Sequence, residues 1–180
     1  VLVARYLQYM LEFMAKRGVS GQNLLADTGL NADELRNHPD YLVSLPAFLR
    51  TMENLHRLDT SPTLSLELGA TLTIGSHGFL GYAVQASPNL AEALLLVNRY
   101  AQTRTQLIQI NFLTAGDFVA LEISDHGLLG PWFPHVIAAM LGSFQVITRE
   151  LFPDFSHEGV SMQFGFPEAP QHQLLHMLVQ

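Results

Sequence analysis

His77 sits in GSHGFLGYAVQASP, residues 75–88, with Gly75 and Gly78 close on either side. Glycines let the backbone approach a ligand, so the imidazole has two readings: the lip of a binding site, or a hydrogen-bonded structural side chain. His172 and His176 lie four apart and would share one face of a helix. Their string, HQLLH, has the spacing of a zinc-protease helix but carries Gln173 where the general-base glutamate belongs, and no third ligand is evident. Asp125-His126, with His135 further on, offers an acid–imidazole pair, yet neighbours on a strand point to opposite faces. Gly130-Pro131-Trp132-Phe133-Pro134-His135 is the densest aromatic stretch. It reads as the apolar wall and polar handle of a small-molecule pocket, or equally as a core anchor.

Nothing in these groups spells a known catalytic motif. There is no Gly-x-Ser-x-Gly elbow, phosphate loop or dinucleotide fingerprint, and Gly78-x-x-Gly81 is too common to count. The expectation is a non-enzymatic chain with no catalytic residue, metal or cofactor assigned; a small hydrolase-like enzyme is the least favoured alternative.

Residues 20–36, SGQNLLADTGLNADELR, have the layout of a helix-turn-helix DNA reader. The second helix would enter the major groove led by Asp33 and Glu34, with Arg36 almost alone as a cation. Like charge against phosphates costs affinity, so the segment is read as a structural helical corner. The net charge agrees: it is −7, and residues 61–180 hold three basic groups against nine acidic. Such a chain has no basic footprint for nucleic acid.

The 180 residues are expected to form one domain, at most two small ones, able to bury roughly 70% of the surface exposed when unfolded. Charged residues are only 14%, which points to apolar surface covered by a partner or a further segment. Zero cysteines exclude disulfides and thiolate chemistry and fit a cytoplasmic protein. No run reaches the ~20 apolar residues needed to span a bilayer, so no membrane partner is expected.

Periodicity supplies the elements. Leu7, Met10, Leu11 and Met14 mark an amphipathic opening helix stopped at Gly18. Ser20, Asn31 (with Glu34) and Ser44 (with Pro46) open further helices, and Ser61-Pro62 and Ser87-Pro88 are expected to cap and start two more. Alternation over Gln106–Leu113 and Phe118–Ser124 predicts a β-hairpin. Residues 131–152 read as a long helix marked by Val136, Ile137, Met140, Leu141, Phe144, Ile147 and Leu151. A third strand carrying Val160, Met162, Phe164 and Phe166 and a helix at 171–179 are expected last. The fold class is α+β: an N-terminal helical subdomain (1–60) followed by an α+β portion (61–180), a mixed or antiparallel sheet packed with long helices. A three-stranded sheet leaves its edges open, so further strands are expected beyond this chain.

Several short patterns occur together in a telling order: Leu66-x-Leu68-Gly69, Gly78-x-x-Gly81-Tyr82-Ala83, Ser87-Pro88-x-Leu90-x-Glu92-Ala93-Leu94 and Arg99-Tyr100. Upstream stand Leu25-x-x-x-Gly29-Leu30, Leu35, Pro39 and Leu45-Pro46-x-Phe48, and downstream Phe164-x-Phe166-Pro167-x-x-Pro170. This succession resembles the N-terminal, arabinose-binding-type sensor domain of AraC-type transcription regulators, over nearly the whole chain. The resemblance implies one effector-sensing and self-associating domain, 1–180, acting as a homodimer and reaching DNA only through a C-terminal helix-turn-helix domain outside this chain. It implies a small-molecule effector, and an apolar wall with a few polar groups would hold one. The candidates are His77, Tyr82, Arg104, Trp132, Phe133 and His135, with Arg104 favoured by an anionic effector because cations are so few. A pure dimerisation module without ligand is the alternative. The family name's sugar does not identify the ligand.

Overall fold

The computed structural model describes residues 2–115, 118–154 and 160–167. The chain opens with a short strand, β1 (Leu2–Val3), before helix α1 (Arg5–Lys16). Two small helices, α2 (Gly21–Leu24) and α3 (Ala32–Asn37), lead to β2 (Leu42–Val43), which pairs antiparallel with β1. Next come α4 (Leu45–Leu58), α5 (Leu64–Ala70), a 3-10 turn (Ile74–His77), α6 (Phe79–Gln85) and α7 (Leu90–Tyr100). The hairpin β3 (Gln109–Ala115) and β4 (Phe118–Ser124) and the long helix α8 (Phe133–Leu151) follow. The fold is α+β.

Many local signals act as expected. Ser20 Oγ accepts from Asn23 N–H at 3.2 Å, Asn31 Oδ1 from Asp33 N–H at 2.8 Å and Ser44 Oγ from Ala47 N–H at 3.4 Å. Each satisfies a helix-start donor that has no partner within the helix. The hairpin runs in register from Gln109↔Ser124 to Ala115↔Phe118. Asn98 on α7 accepts from Phe112 N–H at 2.9 Å and so tethers β3 to that helix.

Other expectations need correction. Ser87 does not cap α7; Asn89 does, accepting from Glu92 N–H at 3.0 Å, while Ser87 Oγ bonds back to Ala83 at the end of α6. Thr63 precedes α5 without a side-chain cap bond, its hydroxyl donating to Glu67 instead, and Pro62 and Pro88 each lie two residues before the first helical residue. For α7 a competent capping side chain, Asn89, follows the proline, and the helix starts there. Residues 160–167 form no strand. Phe164 and Phe166 instead contact each other, with ring centroids 5.2 Å apart, and Phe166 meets Phe133 edge-on at 5.9 Å. Alternation says which way side chains face, but a strand also needs a neighbouring edge to bond. Both sheets are accordingly two-stranded and antiparallel, with no mixed sheet among the described residues. The predicted helix at 171–179 lies outside them.

The core gathers Leu7 and Met14 of α1, Leu24 of α2, Leu55 of α4 and Leu64 of α5, all fully buried. Each such side chain contributes about 1.5–3 kcal/mol relative to exposure. A smaller cluster joins Ile74, Val84 and Ala93 to Ile147 and Leu151 of α8. Helices α5 and α8 touch backbone to backbone through Gly69 and Gly142. Small residues set this contact, so α8 buries Gly142, Ser143 and Thr148, while Phe144 is partly exposed.

Candidate functional site

Four elements converge on His77: α1 brings Tyr6, the 3-10 turn brings His77 itself, α8 brings Ser143, and the link between α7 and β3 brings Arg104. Both ring nitrogens of His77 are bonded, Nδ1 to Tyr6 Oη at 3.0 Å and Nε2 to Ser143 Oγ at 3.1 Å. Ser143 donates its own hydrogen to the Leu72 carbonyl at 2.8 Å. That leaves Ser143 Oγ as acceptor toward the ring, which places the imidazole proton on Nε2. Nδ1 then accepts the Tyr6 hydroxyl hydrogen. The result is a one-way chain: Tyr6 to His77 to Ser143 to Leu72.

Electrostatics agree with a neutral ring. Burial, reinforced by the nearby Arg104 charge, lowers the His77 pKa to about 4. Burial also raises that of Tyr6, opposed by the Arg104 charge and by hydrogen bonding of the Arg104 side chain to the phenol. The Arg104 guanidinium lies 5.8 Å from the Tyr6 ring centroid. It packs beneath Gly78, whose φ is +60°, and a carbon added there would sit 3.4 Å from Arg104 Nη1. Gly78 therefore has two jobs: it makes the turn before α6 and leaves room for the guanidinium.

Arg104 is also underpartnered. Its side chain is 13% exposed, and Nη1 stands 3.8 Å from Oδ1 of Asp40, the same oxygen that Arg5 Nη2 approaches at 3.8 Å. Among the described residues, Arg104 Nε and Nη2 and Arg5 Nε are buried with no hydrogen-bond partner. Two cations thus share one distant, 74% exposed carboxylate.

A second cluster lies further toward the start of α8. His135 sits 3.9 Å from His56, centroid to centroid, and Trp132 stacks on His56 at 5.3 Å and 19°. Ser65 Oγ lies 3.3 Å from His56 Nε2 and 3.4 Å from His135 Nδ1. Burial and then the neighbouring His135 lower the His56 pKa to about 4. Along α8, His135 and Ser143 are separated by about 12 Å at 1.5 Å per residue.

The six sequence candidates therefore divide. His77 and Arg104 meet; Trp132 and His135 meet elsewhere, Phe133 packs on Phe166, and Tyr82 points outward, 62% exposed. Asp125 and His126 go separate ways: the carboxylate accepts from the Gly127 and Leu129 N–H groups, while His126 bonds Gln109. His172 and His176 lie outside the described residues. Sequence reasoning missed Arg5, Tyr6, Asp40, His56, Ser65 and Ser143. Only His56 carried a local signal, four residues after the core residue Met52, and the others are joined across the chain.

Residues 18–176 match the family described as the arabinose-binding domain of AraC transcription regulators, N-terminal, and the chain belongs to that family. Over 95 residues it is 34% identical to an ornithine utilization regulator of Pseudomonas aeruginosa, a stretch covering 53% of this chain and 28% of that protein. The chain thus matches well under two thirds of that relative's length. No helix among the described residues is long and apolar enough to cross a membrane.

Proposed function

We propose that this chain senses a small effector and self-associates on behalf of an AraC-type regulator, whose DNA contacts are made by a helix-turn-helix domain outside it. One observation carries the reading: a buried polar cluster built from residues 6, 77, 104 and 143, with arginine donors that nothing in the described structure satisfies. Buried polar groups without partners are costly, and sites that bind polar ligands keep them. The cluster draws Arg5, Tyr6 and Asp40 from the proposed helical portion, 1–60, and His77, Arg104 and Ser143 from the proposed ligand-binding portion, 61–180. A ligand held there bears on both portions at once. It shifts the protein toward whichever arrangement it binds more tightly, by about 1–3 kcal/mol in typical cases.

The acidic balance supports placing DNA contact elsewhere. Helix α3 presents Asp33 and Glu34, and Arg36 is already paired with Asp33 at 2.9 Å. Membership of a regulator family supports reading the chain as a cytoplasmic, non-enzymatic domain. The relative's name makes amino-acid-derived metabolites the first compounds to screen.

The test is a thermal-stability screen against metabolites, with substrate consumption followed in parallel. A sensor gives saturable stabilisation by one class and no turnover. A pure dimerisation module gives concentration-dependent association and no response to any compound, and that outcome would sink the reading.

A further inference from the structure

Arginine donors are not equivalent. Nε–H and Nη2–H lie side by side on one edge of the guanidinium, and their two parallel bonds match the two oxygens of a planar carboxylate. In Arg104 that edge is the buried, unpartnered one, while Nη1 faces Asp40. Arg5 adds a third buried donor, Nε, and its guanidinium approaches the same Asp40 oxygen. Tyr6 lies under Arg104 as an aromatic floor. Arg104 is one of only three cations in residues 61–180, and Arg99 and Arg149 are on the surface.

Charge balance narrows the ligand further. Arg5 and Arg104 against Asp40 leave one uncompensated positive charge. His77 does not add to it, because both of its nitrogens are engaged in a chain that fixes the neutral ring. A monoanion neutralises the site, whereas a phosphate dianion overshoots it and meets too few donors for its oxygens.

We infer that the effector carries a single carboxylate, docked bidentate on the Nε–Nη2 edge of Arg104 with Arg5 as the second donor and Tyr6 as the floor. This rests on the sensor reading above and deepens it. Asp40 faces Nη1 and not the Nε–Nη2 edge, so it keeps its place and acts as a nearby like charge that weakens carboxylate binding.

The experiment uses the chain as it stands. Thermal unfolding is followed against sodium salts of aliphatic and aromatic monocarboxylic acids and α-amino acids, with chloride, sulfate and phosphate at matched ionic strength. The expected result is a saturable rise in Tm of about 5–10 °C at a hundredfold excess over Kd for at least one carboxylate, and none with sulfate or phosphate. Arg104→Met should abolish the response while its ligand-free Tm equals or exceeds that of the unsubstituted chain, which separates lost binding from lost folding. Arg104→Lys keeps the charge but not the fork and should also lose most of the response. Asp40→Asn should tighten carboxylate binding about twofold to fivefold. A carboxylate response that survives Arg104→Met overturns the assignment. So does stabilisation by neutral or cationic metabolites alone, though the sensor reading then stands. Silence from every compound removes both.

Discussion

A side-chain carbon on Gly69 of α5 would lie 1.9 Å from the carbonyl oxygen of Ala139 on α8. The same contact seen from α8 places a carbon on Gly142 2.3 Å from the Leu66 carbonyl oxygen. Two helices thus meet at bare backbone. This contact carries Ser143 to within reach of His77, so helix packing and the polar cluster share one geometry.

Gly69→Ala should therefore destabilise the chain by about 3 kcal/mol or more, because backbone cannot swing aside as a side chain does. Gly142→Ala should behave alike. Gly165, with nothing within 4 Å of an added carbon, is the control and should tolerate alanine within about 0.5 kcal/mol. Denaturant unfolding measures all three; equal stability for Gly69→Ala and Gly165→Ala would refute the close contact.

The His77 ring should be neutral at pH 7 with its proton on Nε2. Nitrogen NMR of the labelled imidazole reads this directly, and an Nδ1–H signature would contradict the chain from Tyr6 to Leu72. Ser143→Ala removes both an acceptor for His77 and a donor to Leu72, and should cost about 1–3 kcal/mol. Tyr6→Phe removes only the Nδ1 donor and should cost about as much as one buried unsatisfied group, in the same range.

Acid should weaken the fold well before the carboxylates titrate. His56 and His77 are held at about 4 by burial, below the usual 6.5, so the unfolded chain binds more protons between those values. Their stabilising contribution is complete above about pH 6.5 and falls progressively as pH drops toward about 4. Asp59 is lowered by its bond from Arg17, so its contribution is lost only below its usual 3.8, in a separate window. Asp59 also lies near His56 and favours the charged ring, but burial and His135 outweigh it. Replacing His56 and His77 by glutamine should flatten Tm against pH between 4 and 6.5; an unchanged slope would discount the buried neutral rings.

Phe79 is 91% exposed at the start of α6, one turn from outward-facing Tyr82. Covering such side chains is a natural use of self-association. Phe79→Ser should leave monomer stability within about 0.5 kcal/mol and weaken the proposed self-association in sedimentation equilibrium. An unaltered association constant would place the contact elsewhere on the surface.

Local chemistry was legible in the residues themselves. Asn31 with Glu34, Ser44 with Pro46, Gly18 and the hairpin alternation each specify structure through neighbours a few positions away, and each formed as expected. Ser87-Pro88 misled because Asn89, one residue on, is a competent cap that the pattern overlooked. The strand expected at 160–166 had the right alternation, yet no neighbouring edge among the described residues bonds it. The family was legible too, since motif order survives without knowledge of contacts. The site was not. Tyr6 and His77 are 71 positions apart, Ser143 another 66, and Arg5 and Arg104 share an oxygen of Asp40. Sequence by itself determined most of the described helices and the hairpin, because those depend on local periodicity and caps, and the regulatory family, because motif order survives in the chain. Only the tertiary structure decided which polar groups are buried together, because desolvation and hydrogen-bond partnership arise from packing between distant segments.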